Sequence, residues 1–202
     1  MSDVTMAKLR SIGVFCGSRM GERETYAAAA AGVGRAIAQA ECRLVYGGGD
    51  VGLMGIAAST AAAEGGAVHG IIPGFLIARE GHLDGVEIKI VETMSERKSE
   101  LIAESDAYII LPGGTGTLEE VFDVVSRQQL GLHDKPIVFL NTDGFWGPFI
   151  ELIAHTVREG FTPQTLADHV ELIDRPEIAI ARICALLDEK DAAAAQLAEK
   201  AD

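Results

Sequence analysis

Ala107 to Leu130 constrains this chain more than any other stretch, because it reads as a strand, a glycine loop and a helix in immediate succession. Ala107-Tyr108-Ile109-Ile110-Leu111 is a short apolar run that suits a buried strand, and Leu118, Val121, Phe122 and Val125 then recur at helical spacing. Between them lies Pro112-Gly113-Gly114-Thr115-Gly116-Thr117. Glycines in such a loop let the backbone turn and approach a ligand with no Cβ in the way. The helix start directs unpaired N–H groups and a partial positive charge at the same point. The combination is an anion site, suited above all to a phosphate. A P-loop would need Gly-Lys-Ser or Gly-Lys-Thr here, and Gly116 is followed by Thr117, so a kinase or NTPase of that type is not expected.

Two readings of Glu120 stand side by side. Thr117-Leu118-Glu119-Glu120 fits a capping box, in which the glutamate only closes the start of the helix. Alternatively the hydroxyls and amides of Thr115 and Thr117 hold a phosphate, while Glu119 or Glu120 places a carboxylate near the sugar of a nucleoside monophosphate.

The rest of the chain repeats the strand-to-helix pattern. Ile12 to Phe15 is a strand candidate that ends in Cys16-Gly17-Ser18-Arg19, where Gly17 and Ser18 either offer an amide and a hydroxyl to a nucleotide or form a plain turn. Leu44-Val45-Tyr46 is followed by Gly47, Gly49 and Gly52 in the G-x-G-x-x-G spacing. A dinucleotide fold would place an acidic residue at the end of the next strand, and Val68 to Gly74 contains none. These glycines therefore serve close helix packing and one wall of a pocket. Residues 73–85 read as an irregular loop, and Glu87 to Val91 as a further strand.

Thr93-Met94-Ser95-Glu96 is a second capping box, so Arg97 and Lys98 fall at the helix end that disfavours cations. At about 100° per residue, Met94, Leu101 and Ile102 define the inward arc, with Lys98 inside it and Arg97 about 40° from its edge. Cations so placed need an anionic partner, unless their stems simply cover apolar surface. Gly131 suits the end of the central helix. Beyond it come a strand at Ile137–Leu140, a helix from Phe145 to Glu159 whose Trp146, Phe149, Ile150 and Ile153 serve core or interface, a strand at His169–Ile173, and a helix from Pro176 to about Lys190. The expectation is an α/β fold, Rossmann-like and doubly wound, with a parallel sheet of about seven strands and helices on both faces. Residues 1–202 are read as one domain with a core of about 10–190 and a tail at 191–202. In such sheets ligands bind beyond the carboxyl ends of the strands, near the point where the strand order reverses.

Pro112-Gly113-Gly114-Thr115-Gly116-Thr117-Leu118-Glu119-Glu120 resembles the PGGxGTxxE motif of the LOG family, the cytokinin riboside 5′-monophosphate phosphoribohydrolases, often mislabelled lysine decarboxylases. Phe15-Cys16-Gly17-Ser18, Gly48-Gly49-Asp50-Val51-Gly52-Leu53-Met54-Gly55 and Met94-Ser95-Glu96-Arg97-Lys98 agree with it. The resemblance implies hydrolysis of a purine riboside 5′-monophosphate, with Arg97 and Glu120 catalytic. It assigns Lys98, Glu119 and the loop residues Gly113, Gly114, Thr115, Gly116 and Thr117 to substrate, with Gly17 and Ser18 beside them and Glu80 as the nearest match to a substrate-contacting glutamate. It also implies a homodimer. The alternative is a non-catalytic nucleotide-binding module, a sensor or cofactor carrier, in the same crevice. A pyridoxal enzyme would need a Schiff-base lysine with a phosphate cup, and Lys89, Lys98 and Lys135 show no such setting.

A net charge of −13 argues against nucleic acid and anionic membranes as partners. Met1 to Arg10 lacks the apolar core of a signal peptide, and no apolar run approaches the roughly 20 residues that span a bilayer, so a cytoplasmic location is expected. Cys16, Cys42 and Cys184 form neither a disulfide framework nor a zinc spacing, the histidines are scattered, and neither a metal nor a cofactor is expected.

Overall fold

Period-two alternation within the strands sets the layers of this molecule. In the strand Ala107–Ile110 and the residue after it, Ala107, Ile109 and Leu111 pack into one apolar cluster while Tyr108 and Ile110 pack into another. Ile137 and Phe139 likewise separate from Val138 and Leu140 in the next strand. These central strands are thus apolar on both sides, the pattern of a parallel sheet covered by helices on both faces.

The computed structural model describes residues 9–164 and 170–199. The elements are β1 (Ser11–Phe15), α1 (Glu24–Gln39), β2 (Arg43–Tyr46), α2 (Gly52–Ala63), β3 (Val68–Pro73), α3 (Gly74–Glu80) and β4 (Glu87–Val91). They continue through α4 (Met94–Glu104), β5 (Ala107–Ile110), α5 (Thr115–Gln129), β6 (Ile137–Leu140), α6 (Gly147–Arg158), β7 (Glu171–Ile173) and α7 (Pro176–Glu199). The seven strands form one parallel sheet in the order β4-β3-β2-β1-β5-β6-β7. The α/β, doubly wound expectation holds. Buried residues of α1, α2 and α7 fill one face, and those of α4, α5 and α6 fill the other.

Strand order reverses at β1, which pairs with β2 on one side and β5 on the other. The loops after β1 and β5 therefore leave the sheet side by side, and the Gly17 amide donates to the Pro112 carbonyl at 3.1 Å. α4 carries the chain from the edge strand β4 across the second face to β5, packing against β3, β2 and β1 on the way. Its first turn consequently lies near the carboxyl ends of β2 and β3.

Several local expectations change. Residues 73–85 are not an irregular loop throughout, because Gly74–Glu80 form α3. That helix buries none of its residues, so it has no apolar periodicity to read. The strand at β7 begins at Glu171, and His169 lies outside the described residues. α7 runs on to Glu199, taking in most of the segment read as a tail. Trp146, Phe149 and Ile153 belong to the core, stacked around Phe139. Residues 1–8, on which the signal-peptide reading rested, are outside the described residues. Among the described residues no helix is long and apolar enough to cross a membrane.

Candidate active site

The start of α5 settles the capping question. Gly114 is the N-cap, with extended backbone, and the helix begins at Thr115. Thr117 is therefore inside the first turn rather than in front of it, and its side chain is buried at 3% exposure against Gly113. A Cβ on Gly113 would lie 2.1 Å from the Thr117 Oγ1. Glu120 stands a turn further along the helix and does not close its start. The true capping box is at α4, where the Thr93 hydroxyl accepts from the Glu96 amide at 3.1 Å. The Glu96 carboxylate reaches back one residue further than the motif requires, to the Glu92 amide at 2.9 Å.

The α5 start opens into a cavity of about 580 Å³ at the carboxyl edge of the sheet. Gly17, Ser18, Glu80, Arg97, Gly113 to Thr117 and Glu120 all line it. The first-turn amides of α5 have no acceptor within their own helix and face this space with the positive end of the helix dipole. Lys98 and Glu119 do not line it. They pair with each other at 2.8 Å between α4 and α5, and Glu119 holds the Lys98 ammonium above its ordinary range.

Arg97, not Lys98, is the buried cation of α4, at 7% exposure on the same face as Leu101. Its Nη2 donates to the Gly47 carbonyl at 3.0 Å and its Nε to the Ile71 carbonyl at 3.2 Å. Met94, which the helical arc placed inward, is 37% exposed at the cavity mouth. Glu120 carries the most informative electrostatics. Burial pushes its carboxyl from 4.5 up to about 7, Arg97 and Lys98 pull it back down, and Glu119 and Glu80 push it up further. The Cys16 thiol beside it is raised as well, by burial and by the Glu120 charge, so it stays protonated and unreactive.

Other cavity residues were not legible as site residues. Arg19 and Arg79 bring further cations to the wall. With Arg97 they face Glu80 and Glu120, so a chain of net charge −13 keeps this one crevice receptive to an anion. Arg19 directly follows Gly17-Ser18, a signal that proximity in sequence could have supplied. Tyr26 and Phe145 meet edge-to-face at 5.8 Å to form an aromatic wall, a pairing across the fold that no local pattern reveals. Among the described residues no group of three or more His, Cys, Asp or Glu side chains assembles a metal site, and no lysine lines the cavity.

A family model described as "Possible lysine decarboxylase" matches residues 54–183. A probable cytokinin riboside 5′-monophosphate phosphoribohydrolase of Oryza sativa subsp. japonica is 41% identical over 182 residues, 89% of this chain and 74% of that one. The cytokinin riboside 5′-monophosphate phosphoribohydrolase of Rhodococcoides fascians is 42% identical over 176 residues, covering 86% of this chain and 89% of its own. An Arabidopsis thaliana enzyme of the same description is 44% identical over 79% of this chain and 74% of its own. Among solved structures, the molybdenum cofactor carrier protein of Chlamydomonas reinhardtii superposes with a TM-score of 0.70 at 24% identity, covering 90% of this chain and 99% of that one, a likeness of fold. By its family model and by its identity to these enzymes over most of its length, the chain belongs to the LOG family of phosphoribohydrolases.

Proposed function

We propose that the protein hydrolyses the N-glycosidic bond of a purine riboside 5′-monophosphate, of the cytokinin type or AMP itself, to give the free base and ribose 5-phosphate. The observation that carries this reading is Glu120: a carboxyl poised near pH 7 by burial, in a cavity that the amide-rich start of its own helix, α5, also lines. Its relatives bear the name of this reaction.

The phosphate sits on the first-turn amides of Thr115, Gly116 and Thr117 with the Thr115 hydroxyl beside it. That anchors the ribose with its anomeric carbon toward Glu120. As the C–N bond breaks, its electron pair leaves with the base and positive charge builds on the sugar ring. The ionised Glu120 carboxylate stabilises that charge and takes a proton from the attacking water as the water oxygen bonds to the anomeric carbon, while the departing base takes a proton from solvent at the nitrogen that the broken bond leaves. Arg97 faces the developing negative charge of the base and acts by charge and hydrogen bonding, since a guanidinium does not give up its proton. Glu80 orients ribose hydroxyls or water from the opposite wall. Lys98 and Glu119 act from outside the cavity, as one ion pair that sets the field at Glu120.

A homodimer belongs to the same proposal, and the unpaired thiols of Cys16, Cys42 and Cys184 suit the cytoplasmic setting proposed with it. Sedimentation equilibrium at micromolar concentration tests the assembly, and a monomer mass throughout would refute it. The reaction is tested by incubating the protein with AMP and with isopentenyladenosine monophosphate, quantifying base and ribose 5-phosphate by chromatography. Equimolar release of both is expected. Tight nucleotide binding with neither product released would put the carrier reading in its place.

A further inference from the structure

The glycine run after β2, Gly47-Gly48-Gly49, matches part of a dinucleotide fingerprint and binds no group in the reading above. Its place in the fold gives it a different task. We propose that Gly47 is a positioning residue of the active site: the space left by its missing side chain is the seat of the Arg97 guanidinium, and its carbonyl is one of the two oxygens that fix it. The proposal rests on the hydrolase reading for its consequence in catalysis, but not for the seat itself.

A Cβ built on Gly47 would lie 1.8 Å from the Arg97 Nη2 and 2.9 Å from its Cζ, with the Met54 Sδ next at 3.3 Å. No side chain other than hydrogen fits while Arg97 keeps its place. The backbone of Gly47 is not in the left-handed region, so conformation does not demand glycine here; space does. The atom in the way is the tip of a long side chain, not backbone. An added methyl therefore displaces the guanidinium and spares the fold. Displacement breaks the 3.0 Å bond to the Gly47 carbonyl and strains the 3.2 Å bond to Ile71. The loop serves the opposite wall in the same manner, since a Cβ on Gly49 would lie 2.9 Å from the Glu80 Oε2. Gly47 and Gly49 thus form a floor on which Arg97 of α4 and Glu80 of α3 rest.

Arg97 is also the principal cation facing Glu120. The other groups around that carboxyl are Lys98 from α4, Glu80 from α3, the Cys16 thiol after β1, and Glu119 on its own helix. Moving Arg97 therefore alters both the charge offered to the leaving base and the proton affinity of Glu120.

The test is Gly47→Ala, alone and with Arg97→Lys, whose side chain lacks the colliding nitrogen. Readouts are kcat and KM for AMP, the Glu120 titration midpoint by carboxyl ¹³C NMR (assigned by difference from Glu120→Gln), and the thermal unfolding midpoint. Gly47→Ala is expected to fold, to lower kcat by about 10²-fold with KM within about threefold, and to move the Glu120 midpoint by about half a pH unit or more. In the Arg97→Lys background the same substitution leaves the Glu120 midpoint and the unfolding temperature unmoved. Should Gly47→Ala fold only when paired with Arg97→Lys, the seat is supported. Failure of both to fold, an unmoved Glu120 midpoint with kcat within about threefold, or an equal effect in the Arg97→Lys background overturns the proposal. If the wild type releases no base, the hydrolase reading fails by itself, while the titration and the unfolding cycle still decide whether Gly47 seats Arg97.

Discussion

Replacing Glu120 by glutamine should make the folded protein more stable at neutral pH while removing its chemistry. In the native state the Glu120 carboxyl holds its proton up to about pH 7, against 4.5 for an ordinary glutamate. Between those values the native state binds more protons than the unfolded chain, so this group makes stability fall as pH rises from 4.5 to about 7 and adds no slope above it. At about 1.36 kcal/mol per pH unit, the full rise corresponds to about 3 kcal/mol. The residue is half-buried and its cavity is open to water, so about 1–3 kcal/mol is the expected size. Glutamine keeps the shape, carries no charge and has no such slope. Urea unfolding of wild type and Glu120→Gln at pH 4.5, 6 and 8 measures the difference. Carboxylates held low by partners, such as Glu104 with Arg43 and Glu171 with Arg182, add the opposite slope to both proteins and cancel. The variant should gain on the wild type by about 1–3 kcal/mol between pH 4.5 and pH 8. A difference that is the same at all three pH values, or that moves the other way, would refute the claim that burial poises this carboxyl.

The glycines of the phosphate loop should separate by what stands next to them. Gly113→Ala meets Thr117 at 2.1 Å and the Gly17 amide nitrogen at 2.9 Å, and is expected to lose about 1–3 kcal/mol of stability together with AMP affinity. Gly116→Ala meets nothing within 4 Å and sits in the first turn of α5, so it should unfold no earlier than wild type, with calorimetry showing weaker AMP binding because the methyl enters the space the phosphate occupies. Away from the site, a Cβ on Gly34 would lie 2.2 Å from the Ala57 carbonyl oxygen, backbone that cannot swing aside, and urea unfolding of Gly34→Ala should show a loss of at least about 2 kcal/mol.

Much of this fold was legible because the central strands are apolar on both faces and because glycine-containing turns follow β1, β2, β5 and β6. Gly131 reads correctly as a helix end: its amide and that of Leu132 bond back to Gln128 and Arg127, closing α5 in a Schellman motif. β3, Val68 to Pro73, carries no acidic residue to go with the glycine spacing of Gly47 to Gly52. What misled was local pattern without its third dimension. Thr117-x-x-Glu120 has the spacing of a capping box, yet the extended backbone of Gly114 starts the helix earlier and leaves Glu120 free for the cavity. Helical arithmetic placed Lys98 inward and Arg97 at the rim, but the carbonyls of Gly47 and Ile71 supply a seat for Arg97 while Lys98 is claimed by Glu119. Those acceptors come from the loop after β2 and from β3, so no window around Arg97 contains them. α3 left no trace because it buries nothing.

The pH dependence of kcat/KM for AMP hydrolysis, wild type beside Glu120→Gln, tests the central claim most directly, because it reports the protonation of the free enzyme's essential groups. The wild-type rate should rise through a limb near pH 7 as Glu120 ionises, and Glu120→Gln should lie at least about 10²-fold lower with that limb gone. A wild-type limb at the ordinary glutamate value of 4.5, or a glutamine variant that retains both rate and limb, would contradict the assignment of the chemistry to Glu120.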